Sequence, residues 1–462
     1  MAAQIRSDLD LPTLRILLDP ARTDFTQAVF QLVRGRDTPS EVARCSLRDL
    51  GLPDTLVGMR PVADHTLRVP PDVLARLQVS VPGLGPSPMP PENALWLEFP
   101  SPRGCLYVMP WERLLEPLGR NLFRLPNHLV RPQAPGQNLE VAICASAPVA
   151  KASFIAPSIV RVLADQYLRS TGHDVTLHLF TDAEAYPALD EAFAPHGDRV
   201  IVYDPATASS YERPRRTISI GVSARLSNPW LLWMRDALQG RPLDFVHFVT
   251  HGYLFGDRGA VAVATAPTEN IDQRTSRFIS AAEVNAFLSQ VGAWGLVLTG
   301  PPMNFSEAGL RELADAVAMV RPGIAMTHDA NLDASGEEFG LCLRTVVARE
   351  GVLDRPLPSV TCWVHPAFVE FPHEDQTDLH LNADGSSAFI GPATLDALSG
   401  RNTQAWVASA SRALEMQQVR WLPDSLEQTA DPAAVTALRN VADLVERHVD
   451  RAYPGGTGGG ES

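Results

Sequence analysis

The run DFVHFVTHG over residues 244–252 constrains this chain more than any other stretch. Its first half is β-branched, aromatic and apolar with almost no polar relief. That composition predicts a strand buried on both faces, as in the middle of a parallel sheet. The run stops at His251-Gly252. An imidazole at the carboxyl end of a buried parallel strand falls where open α/β sheets keep their crevices. The glycine after it permits a tight turn and the close approach of another segment.

Around that strand the chain alternates between the two periods. Residues 139–145, 175–180, 199–203, 295–300 and 323–327 read as further buried strands, with 359–364 as the last. Residues 157–171, 186–194, 229–239, 280–290, 306–320 and 336–350 carry apolar residues at helical spacing. Ser280 with Glu283 three places on has the form of a capping box. Strands alternating with helices predict a doubly wound, mostly parallel sheet with flanking helices. This α/β domain is expected to span 136–400.

Before it, residues 1–135 predict an N-terminal α+β lobe. Strands are expected at 14–18, 94–99 and 105–109, the last two as a hairpin turned by PSPRG, with a short helix after Pro110. The Pro/Gly-rich run VPGLGPSPMPP at 81–91 is a loop. After the α/β domain, residues 401–453 predict a C-terminal helical segment, and the Gly-rich tail 454–462 a disordered one.

Charge and cysteine usage exclude several classes. Fifty-three acidic against 39 basic residues give a net charge of −14. That argues against nucleic-acid binding, which needs basic surface to displace counterions. The five cysteines (Cys45, Cys105, Cys144, Cys342, Cys362) form no CxxC pair and suit a reducing cytoplasm. His328-Asp329, His365 and His373 lack the spacing of a metal site. No phosphate loop is present, so no cofactor or metal is expected. The first residues are polar, with no apolar core of a signal peptide, and no apolar run is long enough to span a bilayer. A cytoplasmic protein without a membrane partner is expected. Trp230, Trp233 and Trp294 read as core or interface residues.

Four stretches, taken in order, resemble the CHAT branch of the caspase-like cysteine peptidases. They are LEVAICASAP (139–148), DFVHFVTHG (244–252), GLVLTGPP (295–302) and the helix opening FSEAGLRELADAV (305–317). The preceding CLYVMPWERLL (105–115) is similar to the segment that often leads into that domain. The resemblance implies a caspase-like sheet, with His251 as the imidazole that deprotonates a cysteine ending the next core strand. Pro301 stands at the position expected for that cysteine. Proline has neither a nucleophile nor a backbone N–H. The candidate substitutes are Cys144, Thr299 and Ser306, with Asp257, Asp315 or Asp329 as an orienting acid. Ser306 also reads as a helix N-cap and Cys144 as a buried small residue.

The resemblance therefore implies a pseudopeptidase that binds a protein or peptide partner in a groove formed by Gly252, Tyr253, Gly300 and Asn304. Modules of this family are common in bacterial defence and signalling systems, and the same setting is implied here. Two alternatives stay open. One is a peptidase or hydrolase that keeps activity through His251 and a non-standard nucleophile. In the other, residues 1–135 and 404–453 are the working interfaces.

Overall fold

The computed structural model describes residues 2–19, 26–53, 64–101, 103–126, 138–146, 156–211, 226–255, 258–268, 276–301, 307–349 and 353–366. The chain divides into two units, 1–409 and 410–462, and the second lies wholly outside the described residues. So do the expected C-terminal helices and tail.

The N-terminal part holds α1 (Ala2–Asp8), β1 (Pro12–Leu18), β2 (Gln27–Arg34), β3 (Ser40–Ser46), α2 (Pro71–Ser80), β4 (Ala94–Glu98), the short α3 (Trp111–Leu114) and β5 (Asn121–Arg124). The next part runs β6 (Asn138–Ala145), α4 (Ala156–Ser170), β7 (Asp174–Thr181), α5 (Tyr186–Phe193), β8 (Val200–Tyr203), α6 (Pro229–Ala237) and β9 (Phe245–Val249). It continues through β10 (His251–Phe255), β11 (Arg258–Ala264), β12 (Ser276–Ser280), α7 (Ala281–Val291) and β13 (Gly295–Gly300). Last come α8 (Ala308–Val320), β14 (Ile324–Asp329), α9 (Glu337–Val346) and β15 (Val360–Trp363).

Twelve of these strands form one sheet in the order β3-β2-β1-β4-β5-β15-β14-β13-β9-β6-β7-β8. Its pairings are parallel except for β3–β2, β2–β1 and β15–β14. The protein is thus α/β, with a large, mostly parallel sheet flanked by helices. From β6 the chain builds outward through β7 and β8, then returns to lay β9 on the other side of β6. The carboxyl ends of β6 and β9 therefore meet at a topological switch point.

Period-two alternation sorts the strand residues between two cores. Val141, Ile143, Ala145, Phe245, Val249, Val297 and Met326 face α4, α5 and α9. Ala142, Cys144, Val246, Phe248, Leu296, Leu298 and Ala325 face α6, α7 and α8. Both sets are buried, which is why these strands read as unbroken apolar runs. The three tryptophans sit in this packing: Trp230 Nε1 donates to Ala264 O at 2.9 Å, Trp233 Nε1 to Thr207 Oγ1 at 2.9 Å and Trp294 Nε1 to Asp244 Oδ1 at 2.8 Å.

The N-terminal lobe shares the main sheet. β5 pairs with β15 at Arg124 and Trp363. Arg124 is buried there, with its guanidinium bonded to Glu112 at 2.8 and 2.9 Å and 4.7 Å from the Trp363 ring. The hairpin expected over 94–109 does not form. β4 pairs in parallel with β1 and β5, and residues 106–108 make a 3-10 turn. Trp111 Nε1 donates to Leu106 O at 2.6 Å, which pins that turn against α3. Among the described residues no helix is long and apolar enough to cross a membrane.

Candidate functional site

The expected strand ending at His251 is two strands. β9 stops at Val249, and the chain leaves the main sheet at Thr250. Its N–H donates to Thr299 O at 3.0 Å, and its hydroxyl donates to Ala262 O. His251 then opens β10 and pairs with Ala262 in a separate antiparallel sheet of β10, β11 and β12. His251 is 6 % exposed.

β9 and β13 pair in parallel with Phe245 opposite Gly295 and Val249 opposite Thr299. That pair is the last; beyond it the chains part, His251 into the small sheet and Pro301 past the end of β13. Pro301 is buried. Cys144 is on β6, buried among the residues that face α6, α7 and α8. Burial pushes its thiol well up, with the nearby Asp182 carboxylate adding to the effect. A thiol in that setting is unreactive. Asn304, Ser306, Asp257 and His373 lie outside the described residues.

The other named residues serve packing. A side chain at Gly252 would run into Leu310, so this glycine lets β10 lie directly on α8. A side chain at Gly300 would run into the carboxyl of Glu307, the residue before α8. Tyr253 points outward, half-exposed, and lies against Phe278. Asp315 is bonded to Arg103 at 2.8 Å and to Trp363 Nε1 at 3.2 Å. Asp329 accepts from the Asn331 N–H at 2.9 Å in the turn after β14. Among the described residues no cluster of His, Cys, Asp and Glu is arranged to hold a metal ion.

Thr299 has an environment that the sequence does not announce. Its hydroxyl oxygen lies 2.7 Å from His247 Nε2 and 3.2 Å from His328 Nδ1. His247 Nδ1 is 3.4 Å from the Tyr167 hydroxyl, and His328 Nε2 is 3.4 Å from Asp333 Oδ2. Burial raises Tyr167 well above the ordinary phenol range, so it keeps its proton. Burial also works to raise Asp333, but the hydrogen bonds from His328 and from the Phe339 N–H outweigh it and hold the carboxyl low. Burial lowers His247 far below the usual imidazole range, and His328 lowers it further.

One proton arrangement satisfies these constraints. Tyr167 donates to His247, His247 to Thr299, Thr299 to His328, and His328 points its remaining N–H at the Asp333 carboxylate. The first and last separations, both 3.4 Å, exceed an ordinary hydrogen bond. Asp333 is itself fixed by the N–H groups of Glu337 at 2.9 Å and Phe339 at 3.0 Å, at the start of α9. A cavity of about 170 Å³ opens beside His328 and Asp333, walled by Ser158, Ile159, Val162 and Leu163 of α4.

Glu307 is a second buried polar group at this edge. Burial pushes its carboxyl well above the carboxylate range, and Asp329 pushes it further in the same direction. It borders a void of about 20 Å³, shared with Asp329 and Arg311, with room for about one water molecule. A larger groove of about 730 Å³ lies elsewhere, between β2, β3 and α2, and contains none of the candidate residues.

His247 lay inside the very run that pointed to His251, and period-two alternation puts it on the face of Val249. Its partners Thr299, His328 and Tyr167 come from three other elements, and only the strand register brings them together. Compared with models of protein families, with curated proteins and with solved structures, the chain matches none.

Proposed function

We propose that this chain is a CHAT-like, caspase-like pseudopeptidase that binds a protein or peptide segment and does not cleave it. The observation that carries the reading is that His251 and Pro301 each lie two residues beyond Val249 and Thr299, the last register pair of the neighbouring β9 and β13. A histidine and a nucleophile at the ends of adjacent parallel strands are the minimum for imidazole-assisted attack. Here the second position holds a side chain that cannot attack. Three further features support the reading: the strand order about the β6–β9 switch point, the antiparallel pairing of β15 with β14, and the small sheet that follows the histidine. The same resemblance supports a regulatory place in a bacterial defence or signalling complex.

A second reading is favoured by Thr299. The order hydroxyl, imidazole, carboxylate through Thr299, His328 and Asp333 is that of a nucleophile, its base and an orienting acid. The hydroxyl is fully buried and already shared between two rings, so a substrate carbonyl has no approach to it. The pseudopeptidase reading is therefore preferred. Hydroxyl- and thiol-directed activity probes test it on the pure protein. Absence of labelling is expected. Labelling that disappears in His251→Ala would overturn the reading.

A further inference from the structure

We propose that the outer face of the β10–β12 sheet is a docking surface for an extended peptide. That peptide carries an aromatic or large aliphatic residue within two positions of a carboxylate. The inference rests on the binding-module reading above and adds where the partner sits and what recognises it.

The register fixes which side chains share the face. Tyr253 is opposite Ala260, which is opposite Ser280; Phe255 is opposite Arg258; Ala262 is opposite Phe278. Residues directly opposite point to the same side of a sheet. The other side carries Gly252, Leu254, Gly259, Val261 and Ile279 and is sealed against α8. There, side chains at Gly252 and Gly259 would strike Leu310 and the Gly309 carbonyl. The outer side has a floor of small residues on the central strand and aromatic rings on both flanks. Phe255 is 76 % exposed, Phe278 47 % and Tyr253 46 %. The Tyr253 and Phe278 rings lie across the floor with centroids 4.5 Å apart. Aromatic rings gathered in the open mark a place where another surface comes to rest.

Charge selects the occupant. Arg258 is the only Lys, Arg, Asp or Glu among the described residues that the register puts on this face. It is exposed, and no acidic side chain among the described residues pairs with it. The chain as a whole is strongly acidic, at −14. Salt screens that distant charge beyond about 8 Å, so the cation this face itself offers to a carboxylate is Arg258. A single arginine is too few to hold a nucleic-acid backbone. A second copy docking face to face would bring the same cation to both sides. Same-face positions on a strand are about 7 Å apart, which matches the spacing of alternate residues in an extended peptide. Such a peptide can set an apolar side chain beside Tyr253 and Phe255 while its acid reaches Arg258.

The test uses the full chain and a displayed library of random peptides, with enriched sequences synthesised and titrated by fluorescence anisotropy. Enrichment of an aromatic or aliphatic residue within two positions of Asp or Glu is expected. Binding should weaken by about tenfold or more in Phe255→Ser and in Arg258→Glu. Arg258→Glu should in turn accept peptides whose acid is replaced by lysine. Thermal midpoints equal to wild type confirm that both exposed variants fold. Peptides whose binding ignores both substitutions would overturn this surface and leave the binding-module reading standing. No enrichment at all would overturn both. Self-association abolished by Phe255→Ser would make a second copy the occupant and overturn the peptide proposal.

Discussion

Glu307 fills the space that any side chain on Gly300 would need. The contact joins the end of β13 to the start of α8, directly beside Pro301. Gly300→Ala must displace a buried carboxyl and should destabilise the protein by about 1–3 kcal/mol, as overpacking does. Denaturant midpoints check this. In the double variant with Glu307→Ala, the two effects should sum to less than the separate costs, because the colliding atoms are gone.

The Glu307 carboxyl gives a pH dependence with a definite sign. Its folded pKa is raised, first by burial and then by Asp329, so the folded chain holds a proton that the unfolded chain releases from about pH 4.3. Its contribution is fully present below that pH and is lost as pH rises through the folded value. Glu307→Gln removes this loss. The stability advantage of Glu307→Gln over wild type should grow between about pH 5 and about pH 7, by up to about 1.4 kcal/mol per unit. Urea titrations at both pH values measure it, and a pH-independent difference would contradict the assignment.

His247 acts in the opposite direction. Burial, then His328, depresses its folded pKa, so the unfolded chain takes up a proton from about pH 6.5 downward while the folded chain stays neutral. Its contribution is present above that pH and is lost on acidification. Wild type should therefore lose more stability below about pH 6.5 than His247→Gln does. Thermal midpoints of the two proteins across that range check it.

The Thr299 hydroxyl is structural in this account. Thr299→Val keeps the shape and leaves two buried imidazole nitrogens without their shared partner, at a cost of about 1–3 kcal/mol. Thr299→Ser keeps the hydroxyl and should recover most of that loss. A nucleophile would show the difference in peptide turnover, and no turnover is expected from any of the three proteins.

Arg124 and Glu112 tie the N-terminal lobe to the rest of the sheet. Arg124→Met leaves the buried Glu112 carboxylate without its cation and should cost about 3–5 kcal/mol. Adding Glu112→Gln should recover part of it, as read from chemical unfolding of the double variant.

The α/β core was legible because its strands are buried on both faces and its helices carry a clear apolar stripe. α7 follows its Ser280 cap, whose hydroxyl oxygen lies 3.4 Å from the Glu283 N–H. The Glu283 carboxylate instead accepts from the N–H groups of Ser227 and Asn228, at 2.7 and 2.8 Å, so the reciprocal half of the capping box is spent on another segment. The chain's departure from the main sheet at Thr250 was not legible. The residues before and after it are equally strand-like, and a sequence does not show which sheet a strand joins. β11, over RGAVAVA, is mostly small residues and reads as neither a strand nor a helix. Residues 105–109 have strand composition, but Cys105 is drawn into a turn closed by the Leu106 N–H on Arg103 O, and the 3-10 turn at 106–108 follows at once. The histidine cluster depends on long-range register, which no local pattern encodes.

The most direct test supplies a thiol at the position proposed for the nucleophile. The protein and its Pro301→Cys variant are treated with a peptidyl electrophile, and the modified residue is located by mass spectrometry. The account predicts no His251-dependent labelling of the natural protein and labelling of the introduced cysteine that falls sharply when His251→Ala is added. Modification of Thr299, Cys144 or Ser306 in the natural protein, lost with His251→Ala, would contradict it.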